Sequence, residues 1–161
     1  MPAPRAWIAV VGPGSASVGQ LETAEEAGAA IAEARAGLVC GGLGGVMEAA
    51  CRGARSRGGL TLGLLPGTDR EAANGWVVVA VPTGLGEARN ALVVRAADAV
   101  VAIGGGWGTL SEIALALKTG VPVVGVGTWE ATIGGVEPEP GVVRAAGARE
   151  AVAEALRLAG G

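Results

Sequence analysis

The chain has no histidine, tyrosine or phenylalanine among its 161 residues. The absence of histidine excludes a Ser-His-Asp triad, a Cys-His pair and every metal site that histidine ligates. Acid–base chemistry would therefore fall to carboxylates, to water or to the two cysteines, Cys40 and Cys51. Two cysteines are too few for the disulfide framework of a small secreted domain, so we expect reduced thiols.

Basic clusters and long apolar runs are also missing. The basic residues are arginines and the single Lys118, scattered along a chain of net charge −3. Nucleic-acid binders usually carry a basic stripe, so we expect no nucleic-acid partner. No apolar run reaches the roughly 18 residues that span a bilayer, and the N-terminus lacks the layout of a signal peptide. We expect a cytoplasmic protein with no membrane partner and no metal site.

Glycine and aliphatic residues dominate what remains. The chain has 30 glycines but no Gly-X-Y period, which excludes collagen. Short β-branched runs alternate with alanine-rich stretches, a pattern typical of parallel βαβ units. It predicts strands at Trp7–Val11, Leu38–Cys40, Leu60–Leu65, Trp76–Val81, Asp98–Ile103 and Val121–Val126, with a weak seventh at Val142–Arg144. It predicts helices at Thr23–Ala36, Gly45–Arg57, Glu87–Ala97, Thr109–Lys118 and Arg149–Leu158.

These elements predict one α/β domain over residues 1–161. We expect a doubly wound fold with a mostly parallel sheet of six or seven strands flanked by helices. A capping box at Thr23-Ala-Glu-Glu26 predicts the start of the first helix, and Gly37 is placed to end it.

Three glycine clusters each follow a predicted strand directly. They are Gly12-Pro-Gly14-Ser15-Ala-Ser17, Gly41-Gly42-Leu-Gly44-Gly45 and Gly104-Gly105-Gly106-Trp107-Gly108-Thr109. The carboxyl ends of parallel strands share one edge of a sheet, where glycine and helix starts expose backbone N–H groups to ligands. The clusters therefore predict a phosphate or other anion site, although each cluster also fits a tight turn with no ligand. None matches a dinucleotide fingerprint or a Walker A loop.

Two charged residues lie near these clusters. Arg89 falls in the first turn of its predicted helix, where it opposes the helix dipole unless it faces an anion; the alternative is a solvated side chain offset by Glu87. Glu112 follows the third cluster at the mouth of the predicted site. The alternative for Glu112 is that Thr109-Leu-Ser-Glu112 is a capping box and the carboxylate only caps its own helix.

The same residues carry a family resemblance. The run from Arg89 through Asp98 to Gly104-Gly-Gly-Trp-Gly-Thr-Leu-Ser-Glu112 resembles the LOG ("lonely guy") family, whose superfamily includes proteins labelled lysine decarboxylases. Val39-Cys-Gly-Gly-Leu-Gly-Gly-Val-Met47 looks like that family's "GGGxxGLMG" turn. The resemblance implies a Rossmann-like fold, a homodimer or higher homo-oligomer, and hydrolysis of the N-glycosidic bond of nucleoside 5′-monophosphates without a cofactor.

The resemblance also assigns roles to residues. It implies that Arg89 and Glu112 are catalytic and that Gly105, Gly106, Gly108 and Thr109 bind phosphate. Gly14, Ser15, Gly42 and Gly44 of the other clusters are further ligand-binding candidates, and Trp107 is a candidate to stack on a base or pterin or to contact a second subunit. A carboxylate near the ribose suits an oxocarbenium-like transition state.

Three positions depart from the LOG pattern. Asn90 replaces a lysine, Gly104 a proline and Ser111 a glutamate. The segments Gly12-Pro-Gly14 and Thr83–Asn90 look closer to the molybdenum cofactor carrier proteins, which resemble LOG enzymes in fold and bind a phosphate-bearing pterin without turning it over. Two functions therefore stand as alternatives, a nucleotide hydrolase and a non-catalytic carrier whose cargo is a phosphorylated ligand such as molybdenum cofactor.

Overall fold

The computed structural model describes residues 2–161, in which seven strands form one parallel sheet. The strands are β1 (Trp7–Val11), β2 (Gly37–Cys40), β3 (Thr61–Leu65), β4 (Val79–Pro82), β5 (Ala99–Ile103), β6 (Val123–Val126) and β7 (Val143–Arg144). Their order in the sheet is β4-β3-β2-β1-β5-β6-β7, and every pair is parallel. The predicted parallel α/β fold is confirmed.

Within residues 2–161, five α-helices cover the two faces of the sheet. They are α1 (Val18–Glu33), α2 (Val46–Ser56), α3 (Arg89–Arg95), α4 (Trp107–Lys118) and α5 (Ala148–Ala159). Helices α1, α2 and α5 pack on one face with strand residues such as Ile8 and Val10, while α3 and α4 pack on the other with Ala9 and Val11. Alternate residues of β1 thus enter opposite cores, which explains why this strand is apolar throughout.

The strand order reverses between β1 and β5. The chain runs outward from β1 through β2, β3 and β4, and then returns to β5 on the other side of β1. Ligands of doubly wound folds bind at such a point, beyond the carboxyl ends of the strands. The glycine clusters follow β1, β2 and β5, three adjacent strands, so they meet at the switch point as expected.

Helix α1 begins and ends at other residues than the sequence predicts. It begins at Val18, not Thr23, because the Ser17 side chain accepts from the Gln20 N–H and the Gln20 side chain accepts from the Ser17 N–H. The Thr23 hydroxyl instead donates to the Gly19 carbonyl, 2.8 Å away, as a residue inside a helix does. The predicted end at Gly37 is also wrong: α1 ends at Glu33, and Gly37 begins β2.

Other boundaries shift by a few residues. Strand β4 begins at Val79 instead of Trp76, and α3 is preceded by a 3₁₀ turn over Gly86–Ala88. Helix α4 begins at Trp107, two residues before the predicted Thr109. None of the helices within residues 2–161 has the length and apolar character that crossing a lipid bilayer requires.

Candidate functional site

A cavity of about 370 Å³ lies at the switch point of the sheet. This volume lies in the range of small-molecule sites. Backbone from all three glycine clusters and side chains from α3 and α4 form its wall. The lining residues are Val10, Val11, Gly12, Pro13, Gly14, Gly41, Leu43, Met47, Arg89, Asn90, Gly106, Gly108, Thr109 and Glu112.

The first turn of α4 faces this cavity. Gly106 is the N-cap, in an extended conformation and without a side-chain cap, and Gly106, Gly108 and Thr109 all line the cavity. The first N–H groups of a helix have no carbonyl partner within the helix, and they lie at the positive end of its dipole. This part of the wall therefore offers unpaired donors to an anion.

The Arg89 guanidinium is buried and held by neutral groups. Its Nη1 donates to the Asn90 side-chain oxygen, and its Nη2 lies 3.4 Å from the Gly41 carbonyl oxygen. Its Nε is buried with no hydrogen-bond partner. Since Glu87 is exposed and Arg89 is only 9% exposed, the alternative of a solvated arginine offset by Glu87 is wrong.

The two departures from the LOG pattern that replace charged residues, Asn90 and Ser111, contact each other. The Asn90 side-chain amide donates to the Ser111 hydroxyl at 3.2 Å, and that hydroxyl donates to the Gly108 carbonyl at 2.7 Å. This chain of bonds connects Arg89 on α3 to the first turn of α4. Asn90 and Ser111 thus form one neutral pair where the LOG pattern has a lysine and a glutamate.

The Glu112 carboxyl faces the same cavity. It is 8% exposed, and its nearest cation is Arg89, with Nη1 and Oε1 4.0 Å apart. Burial raises the pKa of Glu112 to about 7, while the Arg89 charge acts in the opposite direction. Glu112 is the sixth residue of α4, so the predicted capping box with Thr109 does not form. The carboxyl is therefore available for chemistry in the cavity.

Trp107 points away from the cavity although it lies in the third cluster. Its side chain is 79% exposed, and its ring centroid lies 5.3 Å from that of Trp129. The Trp129 indole N–H donates to the Gly106 carbonyl at 3.1 Å. A side chain at Gly105 would come within 3.0 Å of the Trp129 ring, so glycine at this position makes room for the indole. Trp129 thereby supports the cavity loop from outside.

The structure brings together part of the predicted site. Gly14, Arg89, Glu112 and the α4 residues Gly106, Gly108 and Thr109 line one cavity. Gly42, Gly44, Gly105, Trp107 and Ser15 do not line it, and Ser15 instead borders a neighbouring depression with Glu48 and Arg52.

Two features of the cavity were not predicted from the sequence: its apolar side chains and the hydrogen bond between Asn90 and Ser111. Leu43 and Met47 lie within and just after the second cluster, where their position next to the glycines was the available signal. Asn90 follows Arg89 directly, but its bond to Ser111 joins residues 21 apart and has no local signal.

The two cysteines lie beneath the second cluster as free, fully buried thiols. Their sulfurs are 3.5 Å apart, and the Gly42 N–H donates to Cys40 Sγ. Hydrogen bonds from Cys51 and Gly42 lower the pKa of Cys40, while burial acts in the opposite direction. Within residues 2–161, no group of three or more Cys, Asp or Glu side chains is arranged to hold a metal ion.

The fold and the cavity together define a class: Rossmann-like α/β proteins whose glycine-rich loops surround a cavity at the switch point. Within this class, the chain belongs to the SLOG cluster4 family, which matches residues 5–154. An uncharacterized protein of Archaeoglobus fulgidus is 43% identical over 113 residues, 70% of this chain and 74% of that protein. The resemblance predicted from the glycine motifs is confirmed.

Two solved structures extend the likeness over nearly the whole chain. The molybdenum cofactor binding protein of Rippkaea orientalis has 35% identity and a TM-score of 0.87, with 98% of each chain covered. The molybdenum cofactor carrier protein of Chlamydomonas reinhardtii has 35% identity and a TM-score of 0.84, covering 98% of this chain and all of that one. The chain is thus similar to molybdenum cofactor carriers in fold and sequence.

Proposed function

We propose that this protein binds and carries a small phosphorylated ligand of the molybdenum cofactor type. The observation that carries the proposal is the cavity at the switch point, with the uncapped first turn of α4 on one wall and buried Arg89 on another. Both groups attract an anion. The likeness to two molybdenum cofactor proteins at 35% identity supports a phosphate-bearing pterin as the cargo.

The ligand site, in this proposal, uses backbone more than side chains. Gly106, Gly108 and Thr109 bind the phosphate through N–H groups, and Gly14 lets the loop after β1 approach the ligand closely. Arg89 supplies the positive charge that lines the cavity. Residues 1–161 act as one ligand-binding domain, and the protein itself needs no resident cofactor.

Hydrolysis of a nucleoside 5′-monophosphate is the second candidate function. It is favoured by Glu112, whose buried carboxyl lines the cavity with a pKa near neutrality, as suits acid–base work near neutral pH. In this reaction Glu112 would stabilise the developing charge on the ribose while Arg89 and the α4 turn hold the 5′-phosphate.

One experiment separates the two functions. The purified protein is incubated with molybdenum cofactor released from a molybdoenzyme, and the molybdenum retained after gel filtration is measured. We expect near-stoichiometric retention, with a loss of at least about tenfold in affinity in Arg89→Ala because charge-assisted hydrogen bonds to the phosphate disappear. In parallel, AMP is incubated with the protein, and we expect no release of adenine.

Arg95→Ala is the matched control. Arg95 is an exposed arginine in the last turn of the same helix, so its removal changes the net charge equally without touching the cavity. Retention that is equal in both variants would contradict the anion site. Adenine released by the native protein but not by Glu112→Ala would establish the hydrolase instead of the carrier.

We also propose that the protein self-associates. Four apolar side chains are 39–51% exposed: Val79 and Val81 of the edge strand β4, Leu85 before α3, and Leu92 within α3. Among residues 2–161, no α-helix packs extensively on β4, although α3 covers the neighbouring β3 on this face of the sheet. Apolar side chains grouped in this way are typical of a surface that a second copy buries.

A further inference from the structure

Among the described residues 2–161, no carboxylate accepts a hydrogen bond from the Arg89 guanidinium. Its two terminal nitrogens contact neutral acceptors, the Asn90 amide oxygen and the Gly41 carbonyl, and its distance to Glu112 is 4.0 Å, beyond hydrogen-bond reach. Asn90 is in turn fixed by Ser111. These neutral contacts hold the guanidinium in place and leave its positive charge available to a ligand in the cavity.

The Glu112 carboxyl, in contrast, receives no hydrogen bond from the described residues 2–161. It borders the cavity, where an ionised carboxylate would lie against any bound anion. Its charge would also cancel that of Arg89, so an ionised Glu112 leaves the cavity without net positive charge. A neutral carboxyl has neither effect, and its O–H is a donor.

The surroundings contain few other charges that alter this balance. The loops after β1, β2 and β5 that enclose the cavity contain no ionisable residue between 12 and 17, 41 and 45, or 104 and 111. Helix α3 contributes Arg89, and β2 contributes Cys40, whose thiol senses the charges of both Arg89 and Glu112. Glu48 on α2 borders the neighbouring depression, not this cavity.

We propose that the cavity takes up its anion together with one proton, and that neutral Glu112 donates a hydrogen bond to an oxygen of the bound anion. This inference rests on the proposed anion site and assigns its specificity. Glu112 makes the site select a group with fully ionised oxygens, such as a phosphate ester dianion or sulfate, and makes binding depend on pH. Burial, which raises the pKa of Glu112 to about 7, places that dependence near neutrality.

The test is the affinity for sulfate and for inorganic phosphate, measured by titration calorimetry across neutral pH. Sulfate carries no proton in this pH range, so any proton taken up when sulfate binds must be bound by the protein. In this proposal, sulfate binds to the protein whose Glu112 is neutral. We therefore expect a constant sulfate affinity at pH values below the pKa that Glu112 has in the anion-free protein. It then falls about tenfold per pH unit above pH 7. Titrations in buffers of different ionisation enthalpy count the proton that the native protein takes up.

Glu112→Gln provides a neutral donor of the same shape. We expect it to bind sulfate with no pH dependence, and as tightly above pH 7 as the native protein does below it. Glu87→Gln removes an exposed carboxylate near Arg89 and should keep the native pH profile.

Three results would overturn the inference: sulfate binding that is independent of pH, loss of sulfate binding in Glu112→Gln, or binding of phosphate but not sulfate. The last result would place the proton on the ligand and make Glu112 an acceptor. If neither anion binds at any pH, the anion site itself fails.

Discussion

Glycines have different roles in two parts of this molecule, the contact between α1 and α2 and the loops around the cavity. A Cβ at Gly28 would lie 1.9 Å from the Ala50 carbonyl oxygen, and a Cβ at Gly53 would lie 1.9 Å from that of Glu25. In both cases the obstacle is the backbone of the facing helix. These glycines therefore fix how closely the two helices pack.

Most glycines that line the cavity would place a Cβ against a movable side chain or in open space; the exception is Gly12, where a Cβ would lie 2.6 Å from the Ile103 carbonyl oxygen. A Cβ at Gly41 would lie 2.6 Å from Arg89 Nη2, the end of a flexible side chain, and one at Gly106 or Gly108 would meet no atom within 4 Å. Their role is to leave space for Arg89 and for a ligand. A glycine in the helix contact should therefore govern stability, while a cavity glycine with a movable neighbour or none, such as Gly41 or Gly106, should govern binding.

The largest expected effect is on the helix contact. Gly28→Ala should lower the free energy of unfolding by about 3 kcal/mol, because the methyl group forces α1 and α2 apart and overpacking of this kind is costly. Chemical denaturation measures the change, and anion binding by the folded protein should stay within about twofold of the native value.

Gly19→Ala is the control for this variant. Gly19 lies in the same helix, and a Cβ there would meet no atom within 4 Å, so alanine should stabilise the protein by about 0.5–1 kcal/mol. Equal stabilisation by both changes would show that helix propensity, not close packing, controls this region.

This difference between glycines was only partly visible in the sequence. The buried strands were predicted well, β1 to the residue, because runs that are apolar throughout have few other interpretations. Parallel topology also placed the three clusters on one edge. The start of α1 was missed, since Ser17 lies among turn residues and Thr23 offered a competing capping box.

The chemistry of the site depended on tertiary contacts that spacing does not encode. The sequence indicated Arg89 and Glu112, but their burial and the pKa of about 7 arise from packing of α3 against α4. Trp107 follows the same glycines as Thr109, yet it points outward to Trp129, a partner 22 residues away in the chain. The burial and direction of a side chain at the start of a helix are properties of the assembled fold.

A smaller effect, on binding, is expected from Gly41→Ala. The added methyl group displaces the Arg89 guanidinium, which can move, so the free energy of unfolding should fall by only about 1 kcal/mol. Sulfate affinity measured by calorimetry should fall by about tenfold, because the cation leaves its place in the cavity.

Gly44→Ala tests whether this loss is specific. Gly44 lies in the same loop but outside the cavity, and its Cβ would come no closer than 3.9 Å to Glu48. Its affinity for sulfate should match that of the native protein. If Gly41→Ala binds sulfate normally, Arg89 does not need its observed position, and the division between packing and binding glycines fails at the cavity.

The smallest effect is expected from Ser111→Ala, which cuts the neutral link between α3 and α4. Its hydroxyl accepts from Asn90 and donates to the Gly108 carbonyl, so alanine leaves the buried Asn90 amide without its partner. We expect a loss of about 1 kcal/mol in the free energy of unfolding and a two- to fivefold loss in sulfate affinity, as Arg89 is held less firmly.

Ser56→Ala is the control that separates the loss of a hydroxyl-to-backbone hydrogen bond from the weaker positioning of Arg89. The Ser56 hydroxyl donates to the Gly53 carbonyl three residues earlier at 2.7 Å, the same geometry as Ser111 and Gly108, but it lies at the end of α2. Both variants lose a hydroxyl-to-backbone bond, so denaturation should record a similar local cost. Only Ser111→Ala should weaken sulfate binding. If the two variants bind sulfate equally, the hydrogen bond between Asn90 and Ser111 does not position Arg89. The guanidinium is then held by Gly41 and the rest of the cavity wall.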